Sequence, residues 1–444
     1  MARSVRVLLS IVLAAVMSVY LIALPASAEE RRQCDDIRID SDGGFNPANG
    51  IHSGSGTPSD PFVISGCDVR RVTIKDTSAA VLIKDNTIRN QLVLDWIGSN
   101  VRVVDNEIGD LRVNQNVRRK GEPTSGLIAR NKFGIVGQLR HFDGVFENNV
   151  VTGKRPAGFI ELPFFQNGQA VNFDGFNGSR FRNNRITGFV TMRLHGHHHS
   201  SGFDEDSHYH GTDPAAHEAH GEMLDHSQRY HRVYFTNNTI TSPGPYALNY
   251  VDTNHAANDR TAASETNEAL NKPHVHFTRV YMNNNRLIGS GLYVNIFNAK
   301  DERHLGTRTG HLEIADNTIE LVQESDSEPF FSWEEPAGIS IYRAKDVHVM
   351  VTGNKVTNVD ESDDTIDESQ IPFMRPEEIS GIRLYYIDTA EIHLMDNSVA
   401  STDYGVWAAQ MPKDVEWWIH GLHLNAVPVP VYWDNTVANR PHQE

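Results

Sequence analysis

The sequence predicts an all-β protein folded as a right-handed parallel β-helix, a solenoid wound from short strands. Three observations predict this fold: a repeated strand pattern, an asparagine at a constant place in that pattern, and few hairpin signals between the strands. The pattern reads apolar-x-apolar, two residues, Asn-x-apolar, as in Val233-Tyr-Phe235 followed by Asn238-Thr-Ile240. Alternation with a period of two is typical of strands with one buried face. Few Asn-Gly or Asp-Gly pairs separate the strands, which argues against antiparallel hairpins.

The repeated asparagine predicts how successive coils stack. The asparagine keeps the same position relative to the flanking apolar residues at Asn86, Asn106, Asn131, Asn149, Asn184, Asn238, Asn285, Asn317, Asn354 and Asn397. We assign Asn425 as a further member. Asparagine tolerates left-handed backbone angles, and its amide can donate to one coil and accept from another. Unrelated turn asparagines are the alternative, which the preserved apolar phase disfavours. We therefore expect a buried ladder joining strands of about three to five residues.

The chain is predicted to be one exported domain. Residues 1–28 combine a basic start, an apolar run and the sequence Ala26-Ser27-Ala28, which is the pattern of a secretory signal. A retained membrane anchor is the alternative reading of that run. Residues 29–444 then form a single parallel β-helix domain, with an N-terminal cap at 29–70, coils at 71–435 and a histidine-rich insertion at 195–231. We expect no membrane span after signal cleavage.

Charge and cysteine content narrow the partners and the compartment. The formal net charge is −17 and falls by two, to −19, when the two arginines of the signal are removed. An acidic surface of this kind repels nucleic acid and favours cations or neutral partners. The two cysteines, Cys34 and Cys67, both lie near the mature N-terminus, and a secreted or periplasmic location predicts a disulfide between them.

One segment of the chain resembles a known group of proteins. The sequence from Gly54 to Val69, GSGTPSDPFVISGCDV, resembles the opening of many secreted parallel β-helix proteins, where a glycine-rich turn and Asp-Pro precede the first full coil. With the asparagine repeats, residues 50–435 resemble the broad family of secreted β-helix repeat proteins. That family includes polysaccharide lyases, epimerases and periplasmic β-helix proteins associated with copper-site maturation. The resemblance implies the fold, whereas activity has to be argued from a site.

The histidine-rich insertion is the strongest functional signal in the sequence. Ten of the 22 histidines lie between His195 and His231. Imidazole is a good ligand for copper and zinc, and nearby carboxylates can complete the coordination or orient the rings. We predict metal ligands at His195, His197, His199, His208, His210, His217, His220 and His226, with His274 and His276 as additional candidates. A polar loop that binds metal only adventitiously is the alternative.

Outward positions of the strands predict two rows of side chains on the solenoid surface. Six residues before the asparagine stand Arg232, Arg279, His311, His348 and Glu391, and four before it stand Tyr234, Tyr281, Glu313, Met350 and His393. A lyase needs a cation to hold a uronate carboxylate and a base to remove the neighbouring proton. Arg232, Tyr234, Arg279, Tyr281 and His311 are the candidate catalytic residues. An ordinary solvated surface is the alternative, because exposed positions must carry polar residues.

Three functions are therefore predicted. The first is binding of a transition metal, copper or zinc, through the insertion, for metal handling or metal-dependent catalysis. The second is a lyase or epimerase activity on an acidic polysaccharide held along the outer groove, and the third is a structural or adhesive role. Calcium is a further candidate cofactor, because residues 360–368 are acidic, although they lack an EF-hand pattern. The expected partners are a metal ion, a polysaccharide or another extracellular protein.

Overall fold

A computed structural model describes most of the chain between residues 31 and 443. The described ranges are 31–49, 51, 53–97, 100–115, 126–140, 142, 144–156, 169–174, 179–195, 230–242, 246–254, 277–298, 310–322, 337–342, 344–359 and 379–443. Within them the chain is a parallel β-helix, as predicted: the strands of one sheet pair in parallel with the equivalent strands of neighbouring coils. Each full coil contributes one strand to each of three faces, which we call face A, face B and face C.

Face A is a sheet of 13 strands. Its strands are β3 (Phe62–Ser65), β5 (Val81–Lys84), β7 (Val101–Val104), β9 (Gly126–Ala129), β11 (Gly144–Glu147), β14 (Arg180–Arg182), β17 (Tyr230–Thr236), β20 (Phe277–Asn283), β23 (Gly310–Ala315), β26 (Lys345–Thr352), β29 (Asp388–Met395), β32 (Glu416–His420) and β35 (His442–Gln443).

Faces B and C belong to one sheet of 22 strands. Face B holds β12 (Val150–Val151), β15 (Arg185–Thr187), β18 (Thr239–Thr241), β21 (Arg286–Gly289), β24 (Thr318–Val322), β27 (Lys355–Val359), β30 (Ser398–Ala400) and β33 (His423–Asn425). Face C holds β13 (Gln169–Asp174), β16 (Phe189–His195), β19 (Leu248–Asn254), β22 (Leu292–Asn298), β25 (Ala337–Tyr342), β28 (Ser380–Tyr385), β31 (Tyr404–Ala409) and β34 (Val429–Trp433).

The N-terminal coils are built differently. There, β4 (Cys67–Thr77), β6 (Thr87–Ile97), β8 (Glu107–Gln115) and β10 (Lys132–Arg140) each run along both faces B and C. The short strands β1 (Arg32–Gln33) and β2 (Ile37–Ile39) pair with β4, and two 3-10 helices, Asp42–Gly44 and Pro47–Asn49, follow β2.

Strand length differs from the sequence-based prediction. The pattern predicts strands of about three to five residues, but β26 and β29 have eight residues, and β4 and β6 have 11. β4 and β6 are longer because each runs along both faces B and C, and β26 and β29 are longer because their pairing begins several residues before the apolar-x-apolar positions.

The core lies inside the coils, where alternate side chains of face A point inward. Val233 and Phe235 are fully buried, as are their counterparts in later coils, such as Leu312 and Ile314. Phenylalanines form a continuous cluster of ring contacts inside the core, comprising Phe133, Phe146, Phe173, Phe181 and Phe235. Burial of one side chain in two gives the period-two pattern in the sequence.

The predicted asparagine ladder is present from Asn86 to Asn397. At each step the side-chain Nδ2 and the backbone N–H of one asparagine both donate to Oδ1 of the next, as from Asn238 to Asn285 at 3.1 and 2.9 Å. Nδ2 also donates to a carbonyl of the preceding coil, which for Asn238 is Phe181 O at 3.1 Å. All ten asparagines are buried, so the ladder satisfies polar groups that water cannot reach.

Two details of the ladder prediction are wrong. The left-handed residue is the one before the asparagine, as at Asn237 with φ 56° and Asp396 with φ 51°. Asn425 is exposed at the end of β33 and pairs with Ala400, so the ladder position of that coil belongs to Leu422. The apolar phase is preserved in this last coil, where Trp417, Ile419 and Leu424 take the places of Ile392, Leu394 and Val399, and a leucine replaces the asparagine.

The first coil carries the disulfide at its ladder position. Cys67 occupies the place of the asparagine, since its backbone N–H donates to Asn86 Oδ1 at 3.0 Å, and it forms the predicted disulfide with Cys34. The disulfide therefore attaches the chain after β1 to the first coil of the solenoid. Among the described residues, no helix has the length and apolar character needed to cross a membrane.

Candidate functional site

The two predicted rows of outward side chains lie side by side on face A. In the first row, His311 pairs with Arg279 on one side and His348 on the other, and His348 pairs with Glu391. In the second row, Glu313, Met350 and His393 pair in the same order. Register across the parallel strands therefore brings together side chains that are far apart in sequence.

Two imidazoles of the first row are in direct contact. Nδ1 of His311 lies 3.2 Å from Nδ1 of His348, and the ring centroids are 5.3 Å apart. A hydrogen bond between two such nitrogens requires one of them to be unprotonated. At least one of the two rings is therefore able to offer a lone pair in this arrangement.

His348 also faces a carboxylate and a third imidazole. Nε2 of His348 lies 4.0 Å from Oε1 of Glu391, and the same oxygen lies 2.8 Å from Nε2 of His393. The side chains of His348 and His393 are 35% and 23% exposed, so solvent still reaches them. We call His311, His348, Glu391 and His393 the imidazole cluster.

The environment of His348 favours its neutral form. Burial lowers the pKa of His348, and the positive charges that His311 and His393 would carry lower it further, while Glu391 opposes the shift. A neutral imidazole is the form that binds a metal ion. The electrostatics of the cluster thus agree with a ligand role.

Further side chains position the two ends of the cluster. Asn283 Nδ2 donates to Oε1 of Glu313 at 2.6 Å, and Oε2 of Glu313 lies 3.7 Å from Nε2 of His311. At the other end, the ring of His393 stacks on Trp418 with centroids 4.6 Å apart and planes 6° apart. Both imidazoles are therefore held in orientation by neighbours, as is usual for metal-binding histidines.

Three side chains of the cluster could together hold a metal ion. His348, Glu391 and His393 offer ligand atoms that all lie within 4.8 Å of one another. Two imidazoles and one carboxylate are ligands that suit zinc and copper.

Other predicted catalytic residues lie on face A next to this cluster. Tyr234 and Tyr281 stack with centroids 4.9 Å apart and planes 6° apart, and Arg279 is exposed in the row that leads to His311. The backbone of Arg232 pairs with Arg279. His311 belongs to the imidazole cluster, so its predicted role as a base competes with a role as a ligand.

Most of the predicted metal ligands lie outside the described residues. These are His197, His199, His208, His210, His217, His220, His226, His274 and His276, together with the acidic segment 360–368. His195 is the last residue of β16, and the described chain resumes at Tyr230, the first residue of β17. Metal binding through the insertion and calcium binding at the acidic segment stay predictions.

The structure brings residues of the two predicted rows together at the imidazole cluster, whereas most of the predicted ligands of the insertion lie outside the described residues. His348, Glu391 and His393 appeared in the predicted rows, yet composition drew the metal prediction to the insertion. The usable signal was the recurrence of histidine at adjacent row positions in three successive coils, at His311, His348 and His393. Trp418, which extends the second row, was missed because the asparagine of its coil was assigned to Asn425, which puts Gly421 four residues before it instead of Trp418.

A second outward surface lies on face C. The guanidinium of Arg383, a residue only 7% exposed, sits 5.3 Å from the ring centre of Tyr385 and 4.8 Å from that of Trp407. Tyr342 and Tyr385 stack at 5.7 Å, and Trp407 and Tyr432 at 6.4 Å. Burial, followed by the hydrogen bond with Tyr386, raises the pKa of Tyr385. This surface is an aromatic strip with a cation held inside it.

Comparison with known proteins adds no relative. No family model, no curated protein and no solved structure matches the chain.

Proposed function

We propose that this chain is an exported parallel β-helix protein that binds a transition metal, copper or zinc, at the imidazole cluster. The observation that carries the proposal is the convergence of His348, Glu391 and His393, whose ligand atoms lie within 4.8 Å of one another. The donor set fits both metals, because imidazole binds each of them well and a carboxylate can complete the coordination.

Of the two metals we favour copper. Met350 occupies the second row between Glu313 and His393, next to the cluster. A thioether is a soft ligand that suits Cu(I) and contributes little to a zinc site. Metal handling would also agree with the resemblance of the repeats to periplasmic copper-maturation proteins, and we propose membership of the secreted β-helix repeat family on the same residues.

The histidine-rich insertion fits this proposal as a second metal-binding segment. After the insertion the chain returns to face A at β17, and β17 is separated from β23, which carries His311, by β20 alone. Adjacent strands lie about 4.8 Å apart, so β17 lies about 10 Å from β23. Metal collected by the insertion would be released close to the cluster.

Elemental analysis of protein purified without metal-affinity steps tests where the metal is held. We expect copper in the wild-type chain and the loss of the cluster-bound part of it in a His348→Gln, His393→Gln double variant. A variant with glutamine at His208, His210, His217 and His220 should retain the cluster metal. His423→Gln, on face B, is the matched control. Loss of metal from the insertion variant alone would contradict the assignment.

Trp418 provides an independent reporter of the same site. Because its ring stacks on His393 at 4.6 Å, Cu(II) bound at the cluster should quench its fluorescence. We expect saturable quenching of the fluorescence by Cu(II) in the wild type, and little saturable quenching in Trp418→Phe or His393→Gln. Equal quenching in all three proteins would show that copper binds elsewhere.

A second candidate function is recognition or cleavage of an acidic polysaccharide, and the aromatic strip of face C favours it. Arg383 could pair with a uronate carboxylate, and Trp407 and Tyr432 present ring faces on which sugars stack. Formation of unsaturated products and binding should be measured on a panel of uronate polymers. Trp407→Ala removes a ring from the aromatic strip of face C, and Tyr281→Ala removes one from the predicted groove on face A, so the two variants show which surface binds the polymer. Unchanged binding in both variants would remove the candidate.

A further inference from the structure

We propose that His348 is a bridging ligand between two metal ions, an inference that rests on the proposed metal-binding function and deepens it. The two nitrogens of the His348 ring face different partners. Nε2 points toward Glu391 at 4.0 Å, and Nδ1 contacts Nδ1 of His311 at 3.2 Å. One ring therefore has a ligand set on each side.

The first ion lies on the Nε2 side. His348, Glu391 and His393 are its ligands, and the closest pair is Glu391 Oε1 with His393 Nε2 at 2.8 Å. Ligand atoms at about 2.0 to 2.1 Å from an ion and 90° apart are separated by about 2.9 Å. The carboxylate and the His393 ring are thus already spaced as neighbouring ligands, and His348 reaches the ion by a small rotation.

The second ion lies on the Nδ1 side. Two nitrogens bound at about 2.0 to 2.1 Å, with an angle between 100° and 110°, are about 3.1 to 3.4 Å apart. The observed 3.2 Å between His311 and His348 falls in that interval. Glu313 faces the other nitrogen of His311 and is fixed by Asn283, which is the arrangement that orients a metal-binding ring.

Charge and proton balance are consistent with a bridge. Binding of both nitrogens requires the His348 ring to lose its remaining proton, which passes to solvent buffer as the second ion binds. Glu391 is a ligand of the first ion, whereas Glu313 faces Nε2 of His311, the nitrogen that the second ion does not use. The first ion has three protein ligands and the second has two, so the positions should fill in that order.

Titration of the metal-free full-length chain with Cu(II) tests the bridge. The titrated parent protein carries glutamine in place of the insertion histidines and of His274 and His276, so that only the cluster is counted. The first equivalent should give a full electron paramagnetic resonance signal. The second should lower the signal per copper, because an imidazolate bridge couples the two spins, and it should release an additional proton.

Single variants separate the two positions. His311→Gln should bind one equivalent with a full, uncoupled signal, and His348→Gln should lose both strongly bound ions. Glu313→Gln should weaken the second ion by about tenfold and leave the first unchanged, as expected for a residue that positions a ligand. His423→Gln should behave as the parent. All replaced side chains point outward, and circular dichroism and melting temperature verify that each variant is folded.

The outcomes distinguish this inference from the proposed function. One equivalent in both the parent and His311→Gln would overturn the bridge and leave a single metal site. Two equivalents with uncoupled spins would overturn the bridge and leave two independent sites. Copper binding that is insensitive to His348→Gln and His393→Gln would overturn both proposals. If the parent fails to fold, the same comparison is made between the wild type and His311→Gln, where the bridge predicts a difference of one equivalent.

Discussion

Individual ladder residues make side-chain hydrogen bonds that a substitute without an amide cannot reproduce. At Asn238 the backbone N–H and Nδ2 both donate to Asn285, and Nδ2 also donates to Phe181 O, while the side chain is shielded from water. A residue that lacks the amide removes the Nδ2 donor from Phe181 O. It also leaves Oδ1 of Asn285 with one donor fewer. The free-energy cost arises mainly from those unsatisfied groups.

Replacement of Asn238 by alanine should lower the free energy of unfolding by about 2 to 4 kcal/mol, as several hydrogen bonds are lost in a buried place. Urea unfolding followed by circular dichroism measures the change. Asn425→Ala is the matched control, because Asn425 is exposed and lies off the ladder, and its effect should be within about 0.5 kcal/mol. Equal effects at the two positions would contradict the ladder assignment.

Each strand of face A divides its residues between the core and the candidate site. Phe235 is fully buried and packs on Phe181, whereas its neighbour Tyr234 points outward and stacks on Tyr281. Stability therefore depends on one set of alternate residues and function on the other. A shift of register by one residue would exchange the two sets.

Truncation within one strand tests this division. Phe235→Ala should lower the free energy of unfolding by about 3 to 5 kcal/mol, because it leaves a cavity in the aromatic core. Tyr234→Ala, one residue away, should cost only about 0.5 to 1.5 kcal/mol through loss of ring stacking. Thermal and urea unfolding of the two variants supply the comparison, which would be contradicted by a larger cost at Tyr234.

For the whole molecule, stability also depends on how the open ends of the solenoid are held. At the N-terminal end, Asp36 binds Arg70 and Asp42 accepts hydrogen bonds from Thr77 and Ser78. The hydrogen bond from Arg70 lowers the pKa of Asp36. Burial raises the pKa of Asp42, but the hydrogen bonds from Thr77 and Ser78 outweigh it, so the net shift is downward.

Acid should therefore loosen this end. Both carboxyls have folded-state pKa values below their ordinary value of 3.8, so their contribution is present above that pH and is lost as the pH falls through the lower, folded values. Hydrogen exchange of residues 31–49 should accelerate below about pH 4 relative to the central coils. An Asp36→Asn, Asp42→Asn variant should exchange faster already at neutral pH, with a weaker dependence on acid. Identical pH profiles for the variant and the wild type would refute this account.

The sequence by itself determined the fold, the ladder and the disulfide. The fold and the ladder follow from residues that recur at fixed positions, and the disulfide follows from the two cysteines that both lie close to the start of the solenoid. It also predicted that His311, His348 and Glu391 share one row. Only the tertiary structure decided that His348 meets His311 through Nδ1 and faces Glu391 with Nε2, and that His393 joins from the neighbouring row. The pattern repeats locally and specifies which strands stack, whereas these contacts depend on side-chain orientation between coils.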